Sequence, residues 1–175
     1  MLYVLVAVII VQRLLELVVA ASNLRWALAN GGKEYAPGHY PPMVAMHSAW
    51  IAALLLEGTL RGGAPSSLWW LWLGLFSLAQ VGRYLVITTL GRYWNTRIVI
   101  VPGGQRIQRG LYKYFSHPNY IVVALEIFVA PLIFGAWITA LVFTVLNAAL
   151  LLLVRIPAEE RALETYRANT PILET

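Results

Sequence analysis

Residues 116–160 read SHPNYIVVALEIFVAPLIFGAWITALVFTVLNAALLLLVRIPAEE. The polar cluster Ser116-His117-Pro118-Asn119-Tyr120 opens this stretch, and Arg155-Ile156-Pro157-Ala158-Glu159-Glu160 closes it. Between them, from Ile121 to Val154, the single ionisable residue is Glu126. About 20 apolar residues cross a bilayer once, so a run of this length crosses twice and returns its ends to one face. Pro131 and Gly135 mark the turn near its middle. The pattern predicts a helical hairpin over 119–134 and 136–154. It brings a His/Asn/Tyr cluster and an Arg/Glu/Glu cluster together at one membrane surface, which is the geometry of a site and not of a bare anchor.

The rest of the chain fits the same class. Hydrophobic residues make up 59% of the 175 positions and charged residues 12%, against about 25% charged in a soluble domain. This predicts one integral membrane domain over residues 1–175, with further spans at 2–21, 43–60 and 67–90. The segment Leu2–Ala21 has no basic n-region before it and no small-residue cleavage site after it, so it reads as a retained span. Pro41-Pro42 prevent an earlier helix from running into the second span. The fold class expected is all-α, with five transmembrane helices and a cytoplasmic pocket formed by the third loop, the C-terminal hairpin and the tail.

Basic residues orient the spans. Loop 22–42 holds Arg25 and Lys33; loop 91–118 holds Arg92, Arg97, Arg106, Arg109 and Lys113; the tail holds Arg155, Arg161 and Arg167. Opposite them, loop 61–66 holds only Arg61. The positive-inside rule then puts the N-terminus outside and both polar clusters in the cytoplasm, with the cell inner membrane as the expected location. The net charge of +5 comes from these flanking loops and argues against a nucleic-acid partner; membrane lipids are the expected surroundings. The absence of cysteine excludes disulfides, thiolate metal sites and a cysteine nucleophile, and His39, His47 and His117 lack zinc-ligand spacing, so no metal is expected.

Ionisable groups inside spans cost about 2.5–3.5 kcal/mol on insertion scales and need a reason. Gln12, Arg13 and Glu16 share the first span; the spacing pairs Arg13 with Glu16, or else points Glu16 into a substrate cavity. Arg83 and Glu126 lie at similar depth and read as an interhelical pair, while Gln80 has no obvious role. His47 reads as a core histidine, Glu57 as interfacial, and the Trp69, Trp70 and Trp72 cluster as an aromatic belt. In the third loop, Ile98-Val99-Ile100-Val101 is a short β-branched run followed by the turn signal Pro102-Gly103-Gly104.

The chemistry of the two clusters suits a zwitterionic ligand. Arg155 is a fork for a carboxylate, and Glu159 and Glu160 accept from an ammonium or a ribose diol. S-adenosylmethionine satisfies both halves; NADPH also finds donors there. Gly110-Leu111-Tyr112, Ser116-His117-Pro118-Asn119-Tyr120, the apolar hairpin and Arg155-Ile156-Pro157-Ala158-Glu159-Glu160-Arg161-Ala162-Leu163 together resemble the isoprenylcysteine carboxyl methyltransferase family. Its pattern is G-x-Y, R-H-P-x-Y, a hairpin, then R-I-x-x-E-E-x-x-L. Leu90-Gly91-Arg92-Tyr93-Trp94 is similar to its L-G-x-x-W, and Gln12-Arg13 with Glu16 to its short bacterial branch.

The resemblance implies an S-adenosylmethionine-dependent O-methyltransferase whose cofactor-binding part covers about residues 90–166. It implies cofactor contacts from Gly110, Leu111, Tyr112, His117, Pro118, Asn119, Tyr120, Glu159 and Glu160. Arg155, Glu16 and Glu126 are the catalytic candidates, the first to orient an acceptor; if the acceptor is a hydroxyl, Glu16, Glu126 or His117 is the candidate base. The acceptor implied is lipophilic and enters from the bilayer. It is an alkyl pyrone or alkylresorcinol lipid, with a polyketide synthase as metabolic partner, or else a prenylated cysteine carboxylate. Three departures stand out: Ser116 replaces Arg before His117, with Lys113 or Arg109 as substitutes; no Gly follows Tyr120 closely; and the tail is short. The rival readings are an NADPH-dependent membrane reductase of the sterol or steroid type, and a non-enzymatic scaffold or small transporter.

Overall fold

The computed structural model describes residues 1–104 and 107–169. Gln105 and Arg106, the latter one of the basic residues of the third loop, lie outside the described residues, as do residues 170–175. The chain is mostly helical. Its elements are α1 (Leu2–Ala29), β1 (Lys33–Tyr35), α2 (Tyr40–Leu60), α3 (Trp69–Leu90), β2 (Ile98–Ile100), α4 (Pro118–Leu132), α5 (Trp137–Leu150) and α6 (Ile156–Asn169). Among the described residues, four helical stretches are long and apolar enough to cross a membrane: Leu2–Ala29, Pro37–Leu60, Trp69–Tyr93 and Trp137–Arg167. The chain is an integral membrane protein of the all-α class.

Helix α4 is apolar but short. At 1.5 Å per residue, its 15 residues reach about 22 Å, less than the roughly 30 Å of a hydrocarbon core. It compensates by being central: Val122, Val123, Glu126, Ile127, Val129, Ala130 and Pro131 are all buried. Its far end is closed by Ser66, whose amide and hydroxyl donate to the carbonyls of Ile133 and Leu132 at 2.8 and 2.9 Å. Gly135, at φ 68, makes the tight turn into α5. The start of α5 is held by Glu57, which accepts from the amides of Thr139 (2.7 Å) and Ile138 (3.3 Å) and from the Thr139 hydroxyl (2.7 Å). A carboxylate at a helix N-terminus satisfies orphan amides and meets the positive end of the helix dipole. Glu57 is therefore a cap as well as an interfacial residue.

Two span boundaries differ from those expected. The first helix continues eight residues beyond Ala21, to Ala29. No Gly or Pro interrupts Ser22–Ala29, and Asn23 donates to the carbonyls of Gly91 and Trp94 at 3.2 and 2.7 Å, so tertiary contacts reward the extension. The helix stops at Gly31 and Gly32; the Gly32 amide returns to the Ala27 carbonyl at 2.8 Å, where an added Cβ would lie 2.7 Å from that oxygen.

The second difference concerns the tail. Helix α5 does not end at Val154: it passes through one π-helical turn, Leu151–Arg155, straight into α6. Pro157 has no N–H, and in an α-helix its ring would press on the Leu153 carbonyl; a widened turn just before it relieves both problems. Arg155 thus sits inside a continuous helix and not in a loop beyond one. The β-branched run also finds a partner that local sequence does not announce. β2 pairs antiparallel with β1, with Glu34 opposite Val99. The ribbon packs on α6 through Ile98, Ile100, Tyr35, Ala158 and Ala162. An ion pair from Arg97 to Glu34 at 2.8 Å pins it, with the Arg97 guanidinium over the Tyr40 ring.

Candidate active site

The two polar clusters meet at one end of the α4–α5 pair. His117 sits at the N-terminal edge of α4, and its ring stacks on that of Tyr120, 5.1 Å between centroids and 10° from parallel. The Tyr120 hydroxyl donates to Glu159 Oε1 and accepts from Arg155 Nε at 3.0 Å. Arg155 Nε also reaches Glu159 Oε1 at 3.0 Å, and His117 Nδ1 lies 3.6 Å from Glu159 Oε2. Glu159 is one helical turn beyond Arg155, so the π-turn and the start of α6 present the pair on one face, toward Tyr120.

Arg155 is 5% exposed and held from a second side. Its Nη1 donates to the Thr96 carbonyl at 3.0 Å and to His39 Nε2. The other ring nitrogen, His39 Nδ1, contacts the Ala36 carbonyl. A carbonyl only accepts, so His39 is the neutral Nδ1–H tautomer with its Nε2 lone pair on Arg155. His39 and Thr96 belong to this centre without any motif that marks them, and the indole of Trp94, the last residue of the L-G-x-x-W match, borders it as well. The only local signal at His39 is the Pro37-Gly38 turn before it; its partner is 116 residues away in sequence.

Two cavities share this centre as a common wall. The outer one, about 290 Å³, is lined by Tyr112, Ser116, His117, Asn119, Tyr120, Arg155 and Glu159 among others. It continues into a further space of about 610 Å³ bordered by Glu160, Tyr166 and Arg167. The inner one, about 220 Å³, is lined by Arg13, Glu16, His47, Arg83 and apolar side chains of α1, α2 and α4. Trp94, Asn95, Asn119, Tyr120 and Arg155 border both. Leu17 of α1 and Val44 of α2, which also line the inner cavity, are both exposed, so the cavity is open at the edge where these two helices meet it. The hydroxyl of Tyr112 is pushed up to about 12 by burial and by the Glu159 charge, so it stays a neutral phenol.

Not every expected residue lies on these surfaces. Gly110 packs against Thr89, where an added Cβ would lie 3.0 Å from the hydroxyl. Leu111 joins the apolar cluster of Val86 and Trp94, and Pro118 is buried in the first turn of α4. These three support the wall from behind. Neither basic substitute for Ser116 turns to the cleft: Arg109 donates to the Thr89 carbonyl at 3.3 Å, and the Lys113 ammonium lies over Tyr114.

Beneath the inner cavity is a charge-balanced network. Glu16 accepts from Arg13 (2.6 Å), Gln12 (3.0 Å) and Arg83 (3.5 Å). Glu126 is paired with both Arg13 and Arg83, and Gln12 reaches Gln80 at 2.6 Å. Arg83 is 2% exposed and Glu126 1% exposed, so Glu126 is sealed between two guanidinium groups and has no surface toward a reactant. Two cations and two anions cancel, which is the condition under which buried charges are tolerated.

Comparison with known proteins agrees with this layout. The model of the isoprenylcysteine carboxyl methyltransferase (ICMT) family matches residues 72–165, a span that contains both clusters and the hairpin. The chain is 42% identical over 167 residues to the uncharacterized protein YpbQ of Bacillus subtilis (strain 168), covering 95% of this chain and 98% of that one. It is 28% identical over 158 residues to an uncharacterized protein of Haemophilus influenzae, covering 90% and 91% of the two chains. No solved structure matches the chain.

Proposed function

The chain belongs to the isoprenylcysteine carboxyl methyltransferase family, which makes it a membrane methyltransferase, and on that premise we propose that it transfers a methyl group from S-adenosylmethionine to an oxygen of a lipophilic acceptor. The observation that carries this reading is the pair of cavities divided by one wall of Trp94, Asn95, Asn119, Tyr120 and Arg155. One side is the more polar of the two, with His117, Asn119, Tyr120, Arg155 and Glu159 on its lining, and is bordered by loops and α6; the other is largely apolar and lies among α1, α2 and α4. A water-soluble donor and a membrane-borne acceptor need that division.

The donor set suits S-adenosylmethionine. Glu159 and the buried Asn119 Oδ1, which lacks a partner among the described residues, accept from an ammonium. His117 and the Trp94 indole N–H, likewise unpartnered, donate to a carboxylate. The Tyr93 and Tyr112 rings offer aromatic surface favourable to a sulfonium. When bound, the cofactor supplies an electrophilic methyl group. Arg155, already fixed by His39, Thr96, Tyr120 and Glu159, offers positive charge at the wall without reorganisation as an acceptor oxygen becomes anionic. Positioning across that wall and exclusion of water supply much of the rate.

The acceptor favoured is an alkyl pyrone or alkylresorcinol lipid, its ring in the inner cavity and its chain between α1 and α2, with a polyketide synthase as its source. The small inner cavity supports a ring head over a prenylated peptide, the second acceptor class. The topology we propose counts the short α4 as a fifth crossing, with the N-terminus outside and α6 in the cytoplasm of the cell inner membrane; the positive-inside distribution supports it, and it gives the outer cleft access to a cytoplasmic cofactor. Titration calorimetry on detergent-purified protein tests the reading: S-adenosylmethionine binds, and Glu159→Gln abolishes the heat. Binding of NADPH alone would overturn methyl transfer in favour of the reductase.

A further inference from the structure

One titratable imidazole of the inner cavity takes no part in the network of Arg13, Glu16, Arg83 and Glu126. His47 lies on α2 and lines that cavity. Its Nδ1 is 2.8 Å from the Met43 carbonyl one turn earlier. A carbonyl only accepts, so Nδ1 carries the hydrogen and Nε2 keeps its lone pair. Nε2 has no hydrogen-bond partner among the described residues and is not sealed off from the cavity.

The other potential bases are occupied or lie elsewhere: His117 lines the outer cavity and not the inner one, beside Glu159. Glu16 of α1 already accepts from three donors, and Glu126 of α4 is closed between Arg13 and Arg83. Glu159 is engaged by Tyr120 and Arg155 on the far side of the wall. Of the remaining charged groups around His47, Arg13, Arg83 and Arg155 are cations. They favour an anionic acceptor oxygen but cannot take its proton. Among the described residues, the one basic atom free to receive a proton in this chamber is His47 Nε2.

We propose that His47 is the general base of the reaction and that the acceptor is therefore a weakly acidic ring hydroxyl, a phenol or an enol, and not a carboxylate. This rests on the methyl-transfer reading and narrows its substrate class. The acceptor O–H gives its proton to Nε2 while the oxygen lone pair forms the new O–C bond. The C–S bond of the sulfonium donor breaks, and its electron pair stays on sulfur as a neutral thioether. The imidazolium left behind lies in the field of the Glu126 carboxylate as well as of Arg13 and Arg83, and it returns its proton to solvent once the ether leaves. A carboxylate arrives already ionised and would leave Nε2 with nothing to do.

Two assays on the full chain test this. In the first, transfer of radiolabelled methyl groups to a long-chain alkylphenol and to a fatty acid is compared in wild type and His47→Gln. A positioned base is worth on the order of 10²–10⁴-fold, so transfer to the phenol falls by that factor while cofactor affinity holds. Transfer to the fatty acid is little changed. Equal losses on both acceptors, or no loss on the phenol, overturn the assignment. The second assay uses no cofactor, so it stands even if methyl transfer itself fails. A long-chain para-nitrophenol is titrated into the protein and its phenolate absorbance is read, with isotope-labelled histidine NMR on the wild type. Wild type binds it as phenolate while one histidine passes from the Nδ1–H tautomer to imidazolium, and His47→Gln binds it as the neutral phenol. The same phenolate fraction in both proteins, or no histidine response, sinks the proposal.

Discussion

Arg155 is the residue on which the site turns. Motif spacing singles it out together with Glu159, His117 and Tyr120, because all four stand close to the ends of one hairpin and local pattern reports on them. His39 and Thr96, which hold the other side of the same guanidinium, come from loops more than fifty residues away in sequence from it. No local pattern marks them. The Tyr120 hydroxyl bridges Arg155 and Glu159, and hydrogen bonds to charged groups are worth about 1.5–3 kcal/mol. Tyr120→Phe keeps the stack on His117 but removes the bridge. It is expected to weaken S-adenosylmethionine binding by roughly 10–100-fold, the range those energies convert to. Titration calorimetry reads this directly; unchanged affinity would show that the bridge serves only the fold.

Among the elements, the hydrophobic runs were readable and their ends were not. Span ends depend on what lies beside them. Asn23 meets the Gly91 turn and prolongs α1; a π-turn lets Pro157 continue the helix that carries Arg155. The β-ribbon shows the same limit, since the β-branched run at 98–101 is visible alone but its partner β1 lies in the first loop. Glu57 is the clearest test of an end effect. It caps α5 from α2, and loss of such a cap costs about 1 kcal/mol. Glu57→Ala should lower the midpoint of thermal unfolding in detergent by a few degrees and leave methyl transfer unchanged, because Glu57 borders neither cavity. A loss of activity with unaltered stability would contradict the capping role.

For the whole molecule, the arrangement that matters is a mixed polar and aromatic cleft and a largely apolar cavity that share one wall, the cavity being lined in part by a neutral cluster of two arginines and two glutamates. Its orientation is open to a direct check because the chain has no cysteine. Single cysteines at Lys113 and Ala64 should label from opposite sides of intact spheroplasts and inverted vesicles. Lys113→Cys is reached from the cytoplasm and Ala64→Cys from outside; the reverse pattern would invert the proposed topology. The sequence by itself determined the membrane class, the apolar hairpin and the two clusters, because hydrophobic length and residue spacing are local properties. Only the tertiary structure decided which acids are free. Glu126 and Glu16 look alike with His47 as intramembrane polar residues, yet Glu126 is closed between Arg13 of α1 and Arg83 of α3, and Glu16 is held by Arg13 of its own helix and by Arg83 across the bundle, while His47 lines the cavity with Nε2 unpartnered among the described residues. That outcome is a matter of three-dimensional pairing, since a buried charge takes the partner that packing brings to it.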